Sequence, residues 1–479
     1  MRALLFRLAG PVCAVLLYLA FQHLGHMPAA MAGAVLWMAI WWISEAVPLA
    51  VTSLLPLVLF PLCGIASTAA TAMHYGKEII FLFLGGFLLA LGIERSGLHR
   101  RAALWIMVRA GTAPSRLLLG VMLSSALLSM WINSTACVLV MLPIALGLVD
   151  KSKHVEGNNL AFALLLGAAY GATIGGMATP VGTPPNLIFM EVAEQLFPQQ
   201  DAVGFGAWMA FGGPIMCIYL AFAWLLLHLL FTRGIGFVPN TAHTVREELR
   251  ALGRPTRDER LAAACFCSAA VLWITAGRIE FSEGVVYPGW QREGTWLEGF
   301  SDAAVAIACS IPLFLIPRKN SEESGDRMLL GWDFVQQRVP WGVLLLIGGG
   351  LAMASGFEAS GLANIMGQAM AGWNTGSDVA QVGLIALTTT GLSELGSNSA
   401  IAGLVLPLLG SAAPAWGMEP FTAMIPGTLA ATCGFMLPIS SPMMAIVFAT
   451  GRVPVRTMLR AGVWMDLAGI VLLALWFGL

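Results

Sequence analysis

The chain has 479 residues, of which 58% are hydrophobic and 11% are charged, and its mean hydropathy is +0.80. A soluble domain carries about 25% charged residues, so a surface that faces water all round is excluded. The formal net charge of −1 excludes a large basic surface for nucleic acid, and the apolar content excludes global disorder. Apolar stretches recur along the whole chain, which predicts an all-α polytopic membrane protein.

The N-terminal segment combines Arg2 and Arg7 with an apolar run, as a signal peptide does. Because many apolar segments follow it, we interpret it as an uncleaved first transmembrane helix. The predicted apolar segments lie near 9–25, 28–44, 46–64, 79–93, 160–177, 207–231, 261–277, 302–317, 341–357 and 461–478. With the interrupted elements described below, they predict about 11 transmembrane segments.

The distribution of basic residues predicts the orientation of these segments. If the N-terminus lies in the cytoplasm, all 25 Lys and Arg residues fall on the cytoplasmic side except Lys77, Arg278 and Arg292. Cytoplasmic loops of membrane proteins carry such an excess of Lys and Arg. The sequence therefore predicts a multi-pass protein of the cell (inner) membrane with a cytoplasmic N-terminus.

An internal repeat relates the two halves of the chain. GGFLLALGIERSGL at 85–98 matches GGLAMASGFEASGL at 349–362, and a second block at 128–146 matches 392–410 at the same offset. A third block aligns Pro180 with Pro438. Basic residues flank the first copy of the second block but not its repeat, so the two copies enter the membrane from opposite sides. Inverted repeats are typical of secondary transporters that bind substrate near the membrane midplane.

These patterns divide the chain into five predicted parts. Scaffold helices occupy 1–112 and 261–376, and transport regions occupy 113–232 and 377–479, the latter including the last helix. The part between the halves, 233–260, is a charged cytoplasmic linker in which Val245 to Arg260 is predicted to be one amphipathic, solvated helix.

Each transport region begins with a predicted re-entrant hairpin. Two apolar arms at 117–149 surround the tip Asn133-Ser134-Thr135, and two arms at 380–413 surround Ser397-Asn398-Ser399. An arm of about 15 residues reaches about 22 Å, too short for a hydrocarbon core of about 30 Å. Backbone at such a tip must line a cavity. The alternative, a continuous helix with Ser and Thr bonding to their own turn, is disfavoured because the tip recurs in both halves.

Each transport region also contains a Pro-rich break. Residues 178–186 hold three prolines and a glycine, and Pro438-Ile439-Ser440-Ser441-Pro442 is the partner break. A helix cannot continue through such a sequence, so carbonyl groups become free on one side and N–H groups on the other. Free carbonyls suit Na⁺ and free N–H groups suit an anion.

The tips and breaks contain no Lys or Arg. A doubly charged anion at the midplane would then be neutralised by bound cations and helix N-termini, which predicts coupling of substrate to cations. Hydroxyl and amide oxygens are ligands for a hard cation, so Na⁺ is the expected coupling ion and no other cofactor is expected. The chain shows no HExxH and no GxSxG with partner residues, so no catalytic residues are assigned. For Glu394, cation ligation, proton uptake and a carboxylate satisfied by its neighbours remain open.

These motifs carry a family resemblance from about residue 28 to the C-terminus. AIWWISEAVPLAVTSLLPLVLFPLCGI at 39–65, LLSMWINSTACVLVMLPIAL, GGMATPVGTPPN, SELGSNSA and GFMLPISSP together resemble the divalent anion:sodium symporter (DASS) family. The resemblance implies a Na⁺-coupled carrier of dicarboxylates, tricarboxylates or sulfate, or an anion exchanger. It further implies a homodimer in which the hairpin-bearing parts slide like an elevator against a static scaffold.

The resemblance also implies three sets of site residues. The first Na⁺ site would comprise Ser129, Asn133, Ser134 and the Gly182 carbonyl. The second would comprise Ser393, Gly396, Asn398 and Ser440. The substrate carboxylates would meet Ser134, Thr135, Thr183, Asn398, Ser399 and Pro442. The chain departs from the family where its tips read Asn-Ser-Thr and Ser-Asn-Ser instead of Ser-Asn-Thr, and where Met443 and Met444 replace the usual Pro and Asn.

The expected function is Na⁺-coupled symport of a small divalent anion, with a C4-dicarboxylate such as succinate, fumarate or malate favoured. The alternatives are a Na⁺-independent di- or tricarboxylate exchanger, encouraged by the altered tips and methionines, and a sulfate carrier. A membrane enzyme and a channel have less support, since catalytic motifs are lacking and broken spans favour a closed site over a continuous pore.

Overall fold

The computed structural model describes residues 2–111, 113–151, 159–200, 203–235, 241–277, 279–282, 285–287, 289–291, 297, 299–318 and 327–479. The charged loop 152–158 and parts of the other hydrophilic stretches lie outside them. The helices are α1 (Arg2–Phe21), α2 (His26–Ser44), α3 (Leu49–Thr52), α4 (Leu55–Leu62), α5 (Thr68–Met73), α6 (Glu78–Ser96), α7 (Leu98–Ala110), α8 (Pro114–Ser129), α9 (Ser134–Lys151), α10 (Asn159–Gly176), α11 (Pro184–Leu196), α12 (Phe205–Leu227), α13 (Thr241–Ala251), α14 (Arg257–Ile274), α15 (Asp302–Ser310), α16 (Trp332–Arg338), α17 (Trp341–Ala359), α18 (Leu362–Met370), α19 (Asp378–Ser393), α20 (Asn398–Ala412), α21 (Pro420–Thr432), α22 (Pro442–Ala449) and α23 (Val455–Gly478).

The predicted all-α membrane fold is confirmed. Within the described residues, eight helices are long and apolar enough to cross a membrane, and several shorter apolar helices accompany them. A small antiparallel hairpin of β1 (Ile279–Ser282) and β2 (Val285–Tyr287) lies in the hydrophilic stretch after α14. No alternating pattern of hydrophobic and polar residues predicted this hairpin.

Two predicted spans are not single helices. The segment 46–64 is divided into α3 and α4 after Glu45 enters the left-handed region at φ 47°. The segment 302–317 ends its α-helix at Ser310 and tightens into a 3₁₀ turn, because Pro312 supplies no N–H to the helical ladder. Apolar composition predicted that both segments lie within the membrane, but it did not predict where their helices are interrupted.

The linker prediction of one solvated helix over Val245–Arg260 is wrong. Helix α13 ends before Gly253, which has φ 63°, and α14 begins after Pro255. Thr256 then caps α14 through a reciprocal capping box with Glu259, a pattern that stabilises a new helix start. The linker is thus a helix, a turn and a second helix.

The linker is also docked rather than free. The Arg101 guanidinium of α7 donates to the Gly253 carbonyl at 2.8 Å and to the Leu252 carbonyl at 3.1 Å, and it pairs with the buried Glu259 carboxylate at 2.9 Å. This guanidinium therefore fixes the linker against the first half of the molecule.

Both predicted hairpins are present. Helices α8 and α9 flank the first tip, and α19 and α20 flank the second, with arms of 16, 18, 16 and 15 residues. The α-helical arms are at or below the short end of the roughly 17–25 residues that a span needs, and the last arm reaches 19 residues only with the 3₁₀ turn that ends at Trp416. Both breaks are present too, because α10 stops at Gly176 before α11, and α21 stops at Thr432 before α22.

The internal repeat is visible as a recurring order of elements. Helices α6 to α12 of the first half correspond in order to α17 to α23 of the second. The halves interlock, since α9 of the first hairpin packs against α22 and α20 of the second hairpin packs against α11. The second arm of each hairpin therefore lies beside the broken helix of the other half.

Candidate functional site

Four helices begin at the tips and breaks. Helix α9 begins at Ser134, α20 at Asn398, α11 at Pro184 and α22 at Pro442. The first N–H groups of a helix have no partner within the helix, and the helix dipole adds positive potential there. Helix α9 lies beside α22, with Thr135 against Met443, and α20 lies beside α11, so each pair joins helices of the two halves.

The first tip forms a buried cluster of oxygen atoms. The Ser129 and Ser134 hydroxyl oxygens lie 2.7 Å apart. The Ser134 hydroxyl also faces the carbonyl oxygens of Ala172 at 3.2 Å and Gly182 at 3.5 Å. Three of the four residues predicted for the first cation, Ser129, Ser134 and Gly182, are therefore brought together, with the Ala172 carbonyl as an additional oxygen.

The remaining residue of that predicted set points elsewhere. The Asn133 side-chain oxygen accepts from the backbone N–H of Thr135 at 2.9 Å, within the tip itself. The Thr135 hydroxyl donates weakly to the Met443 sulfur at 3.8 Å. Thr135 of the first tip is thus in contact with α22 of the opposite half.

The second tip uses an amide where the first uses a hydroxyl. The Ser393 hydroxyl contacts the Asn398 side-chain oxygen at 2.9 Å and the Ala431 carbonyl at 2.6 Å. The Asn398 side-chain N–H donates to the Thr432 carbonyl at 3.4 Å. In the repeat, Ser393 corresponds to Ser129 and Asn398 to Ser134, so the Ser393–Asn398 contact repeats the Ser129–Ser134 contact, while the carbonyls contacted differ.

The other predicted residues lie at the second tip and at the two breaks. Gly396 is buried next to Ile43 of α2, and Ser399 is half-buried in the first turn of α20. Thr183 precedes α11 and is 7% exposed, and Pro442 is the first residue of α22. The Ser440 hydroxyl contacts carbonyls inside the second break rather than the second tip.

The two breaks are held by different side chains acting on equivalent carbonyls. In the first break, the Asn186 side-chain nitrogen donates to the carbonyl oxygens of Gly176 at 3.0 Å and of Thr179 at 2.8 Å. In the second break, the Ser440 hydroxyl contacts the carbonyl oxygens of Gly434 at 2.9 Å and of Leu437 at 2.7 Å. The offset of 258 residues that aligns Pro180 with Pro438 also aligns Gly176 with Gly434 and Thr179 with Leu437. Met444, which aligns with Asn186, therefore leaves the second break supported by Ser440.

A second pair of contacts ties each tip to its break. The Thr179 hydroxyl donates to the Met130 carbonyl in the first half. In the second half, the buried Glu394 carboxylate accepts from the N–H groups of Met436 at 2.8 Å and Leu437 at 3.0 Å. Of the roles left open for Glu394, the contacts favour a carboxylate satisfied by its neighbours.

Sequence reasoning missed several groups at these sites. The carbonyls of Ala172, Ala431 and Thr432 could not be identified from the sequence, because any residue type supplies the same backbone oxygen. The structural role of Asn186 was detectable, since an amide directly after a Pro-Pro pair is suited to cap the carbonyls of a broken helix.

Comparison with known proteins places these sites in a family context. The family model described as "Sodium:sulfate symporter transmembrane region" matches residues 5–479. The chain is 36% identical over 477 residues to the sodium-dependent dicarboxylate transporter SdcS of Staphylococcus saprophyticus, covering 97% of this chain and 89% of the relative. It is 36% identical over 449 residues to SdcS of Staphylococcus aureus strain NCTC 8325, and the match covers 92% of this chain and 83% of the relative.

Solved structures share the fold at low sequence identity. The YdaH transporter of Alcanivorax borkumensis superimposes with a TM-score of 0.58 at 16% identity, over 85% of both chains. MtrF of Neisseria gonorrhoeae superimposes with a TM-score of 0.59 at 14% identity, over 85% of this chain and 83% of that one. These likenesses concern the fold alone.

Proposed function

Because the chain belongs to the sodium:sulfate symporter family, the family to which the DASS resemblance pointed, we propose that it is a secondary active transporter that carries a small dicarboxylate together with Na⁺. The relatives named as sodium-dependent dicarboxylate transporters cover nearly the whole chain and support a C4-dicarboxylate such as succinate, fumarate or malate. In this proposal the protein moves a solute across the bilayer, and no residue is assigned a catalytic role.

One observation carries the proposal: two clusters of uncharged oxygen atoms lie beside helix N-termini, and no Lys or Arg occurs in the tips or breaks. A dicarboxylate bound here has no basic side chain to neutralise it, although a charge at this depth is costly. Bound Na⁺ and the helix N-termini supply the missing positive charge. Substrate binding consequently requires Na⁺, which is the differential affinity that couples the two fluxes.

The proposed ligands follow the two clusters. The first Na⁺ is held at Ser129, Ser134 and the Gly182 carbonyl, with Asn133 next to them. The second Na⁺ is held at Ser393, Gly396, Asn398 and Ser440. The substrate carboxylates lie against the residues at the four helix N-termini: Ser134, Thr135, Thr183, Asn398, Ser399 and Pro442.

The interlocked halves support an elevator mechanism. The hairpins and broken helices at 113–232 and 377–479 move together, because the second arm of each hairpin packs on the broken helix of the other half. The scaffold helices stay fixed in a homodimer.

The protein lies in the inner membrane with a cytoplasmic N-terminus, so a cysteine probe at Arg250 should react only from the cytoplasm and one at Gln291 only from outside. Labelling of both from one side would contradict this orientation.

The sulfate carrier has support from the family description, whereas the relatives along the whole chain favour a dicarboxylate. The replacement of the usual Asn by Met444 in the second break was one argument for a Na⁺-independent exchanger. This argument is weaker because Ser440 contacts the carbonyls of that break instead.

Transport by the purified protein in proteoliposomes tests the proposal. An inward Na⁺ gradient should drive uptake of labelled succinate with a sigmoidal Na⁺ dependence, and K⁺ or choline should not replace Na⁺. Unlabelled fumarate and malate should compete more strongly than sulfate. Full-rate succinate counterflow without Na⁺ would instead establish exchange, and preferred competition by sulfate would establish a sulfate carrier.

The variant Asn398→Asp tests the second site. It removes the N–H donor and adds a negative charge next to the dianion, so apparent succinate affinity should fall at least about tenfold. Na⁺ affinity should hold or improve, because a carboxylate is a stronger Na⁺ ligand than an amide. The control Ser411→Ala removes a hydroxyl of the same helix that donates to the Pro407 carbonyl of its own turn, and should transport normally. Unchanged affinities in Asn398→Asp would reject this site.

A further inference from the structure

Helix α11 of the first transport region makes polar contacts with the scaffold along its second half. The ammonium group of Lys77, which directly precedes α6, lies 3.6 Å from the Glu191 carboxylate of α11. The Gln195 side chain reaches α17, where its nitrogen donates to the Leu351 carbonyl at 3.2 Å and its oxygen accepts from the Ser355 N–H at 2.7 Å. Glu191 and Gln195 are four residues apart, so both lie on the face of α11 that meets the scaffold.

The ion pair is buried at one end only. The Glu191 side chain is 5% exposed, whereas that of Lys77 is 42% exposed. A carboxylate at this depth is costly without a cation, and Lys77 supplies one at salt-bridge distance. Because one partner is buried, the attraction is screened less than in a fully exposed pair. The pair therefore stabilises the contact between α11 and the scaffold.

The second half of the chain lacks the residues for these contacts. By the offsets of the internal repeat, Trp341 corresponds to Lys77, Ala449 to Glu191 and Val453 to Gln195. None of these three residues carries a charge or an amide side chain. Since the halves of an inverted repeat face opposite sides of the membrane, the polar contacts belong to one side of the protein alone.

The two breaks also differ in their contact with the scaffold. A Cβ atom at Gly86 of α6 would lie 3.5 Å from the Val181 side chain in the first break. At the equivalent Gly350 of α17, the nearest atom outside its own helix would be the Gly403 Cα at 3.9 Å, among the described residues. Accordingly Val181 is 9% exposed, whereas the equivalent Ile439 of the second break is 71% exposed. The scaffold covers the first break and leaves the second one open.

The charge distribution relates this difference to the sides of the membrane. Lys77 is one of the three basic residues predicted to lie outside, and α11 leads from the first break towards Lys77. Helix α22 leads from the second break towards Arg452, which is predicted to lie in the cytoplasm. The covered break and the ion pair thus belong to the outer side, and the open break belongs to the cytoplasmic side.

We propose that Lys77 and Glu191 form an outer latch, which holds the first transport region on the scaffold while the binding sites are closed to the outside. The pair must separate before the sites open outwards, and Gln195 adds an uncharged contact to the same face. The latch rests on the proposed elevator movement and names the residues that stabilise one of its end states. Neither Lys77 nor Glu191 is a proposed ligand, so the latch acts on the equilibrium between the end states.

Cross-linking of the whole purified transporter tests whether the pair separates during transport. In the variant Lys77→Cys/Glu191→Cys, a short, reducible bifunctional thiol reagent should join the two cysteines and abolish succinate uptake, and reduction should restore it. The two single variants, treated in the same way, control for reaction at the eight native cysteines. Joined protein that transports at the untreated rate would overturn the latch, and so would failure of the reagent to join the two positions.

Thiol labelling tests the latch without any transport assay. Ser355→Cys places a half-buried thiol where α17 meets Gln195, and a membrane-impermeant reagent is added from outside. Glu191→Gln keeps the shape of the side chain but removes its charge, so it should raise the labelling rate of this thiol about tenfold. The charge exchange Lys77→Glu/Glu191→Lys restores the attraction and should bring the rate back to within about threefold of the Ser355→Cys parent.

An ion pair inside the scaffold provides the matched control. Arg338→Gln removes the pair with Glu94, which has a distance of 3.3 Å, and should leave the labelling rate unchanged. If Glu191→Gln does not fold, Lys77→Gln at the exposed end of the latch is measured instead.

The outcomes separate the latch from the proposed function. An unchanged labelling rate after removal of the latch charge, or an equal rise in Arg338→Gln, would reject the latch. If the unmodified protein shows no Na⁺-dependent succinate uptake, the proposed function fails, while the labelling rates still decide whether Lys77 and Glu191 hold α11 on the scaffold.

Discussion

In both broken helices a side chain contacts the carbonyl groups at the break, but the residue that supplies it differs between the two halves. In the first, one amide, Asn186, donates two N–H groups to the carbonyls of Gly176 and Thr179. In the second, the Ser440 hydroxyl contacts the two equivalent carbonyls but has only one proton to donate. The second break gains support from the Glu394 carboxylate, which accepts two backbone N–H groups. The repeat therefore preserves the carbonyls that need a donor more strictly than the residue that supplies it.

The largest expected effect concerns the closest backbone approach in the first break. A Cβ atom at Gly182 would lie 2.5 Å from the Gly176 carbonyl oxygen, and backbone atoms cannot move aside as a flexible side chain can. Gly182→Ala should therefore reduce Na⁺-dependent succinate uptake by about a hundredfold or more.

Gly147→Ala is the matched control for this variant. A Cβ atom at Gly147, on α9 of the first hairpin, would meet no atom within 4 Å, so this variant should transport like wild type. Both are measured as initial uptake rates normalised to reconstituted protein. Wild-type rates in Gly182→Ala would mean that Gly182 and Gly176 separate in the transporting protein.

An intermediate effect distinguishes the amide from the hydroxyl. Asn186→Ala removes two hydrogen bonds and leaves only the Thr179 carbonyl with another donor, the Gly182 N–H at 3.3 Å, whereas Ser440→Ala removes a single proton. Each lost bond costs about 1–3 kcal/mol. Asn186→Ala should therefore lower the midpoint of thermal unfolding in detergent, measured without Na⁺, more than Ser440→Ala does. A larger effect of Ser440→Ala would break the equivalence of the two breaks.

The smallest effects concern the contact between the two halves at the first tip. Thr135→Val keeps the shape but removes the hydroxyl proposed to meet the substrate, so the KM for succinate should rise about tenfold. Met443→Leu removes only a weak sulfur acceptor and should stay within about twofold of wild type. Equal KM values for both variants would exclude Thr135 as a substrate ligand.

Hairpins and breaks were predictable because their signals are local. Short apolar arms around Asn133-Ser134-Thr135 and Ser397-Asn398-Ser399, and prolines that end a helix, act within a few residues of chain. The linker was mispredicted for a related reason. The charge pattern over Val245–Arg260 predicted a single helix, but Gly253 and Pro255, which lie between α13 and α14, are local signals that stop a helix.

Partners distant in the chain could not be predicted in the same way. The residues that would form the first cation site were proposed from family resemblance, and the Asn133 side chain is found bonded within its own tip instead. The replacement of Asn186 by Ser440 was invisible in the aligned repeat, because Ser440 aligns with Gly182 and reaches the carbonyls from a different position.

The sequence by itself determined that this protein is a helical membrane protein with two related halves, two tips and two breaks. These properties follow from composition, segment length and proline chemistry, which do not depend on distant contacts. Only the tertiary structure decided that α9 lies against α22 and α20 against α11, and that Glu394 accepts the N–H groups of Met436 and Leu437. Such contacts join residues far apart in the chain, and they depend on how closely two helices approach, which in turn depends on the residues of both partners.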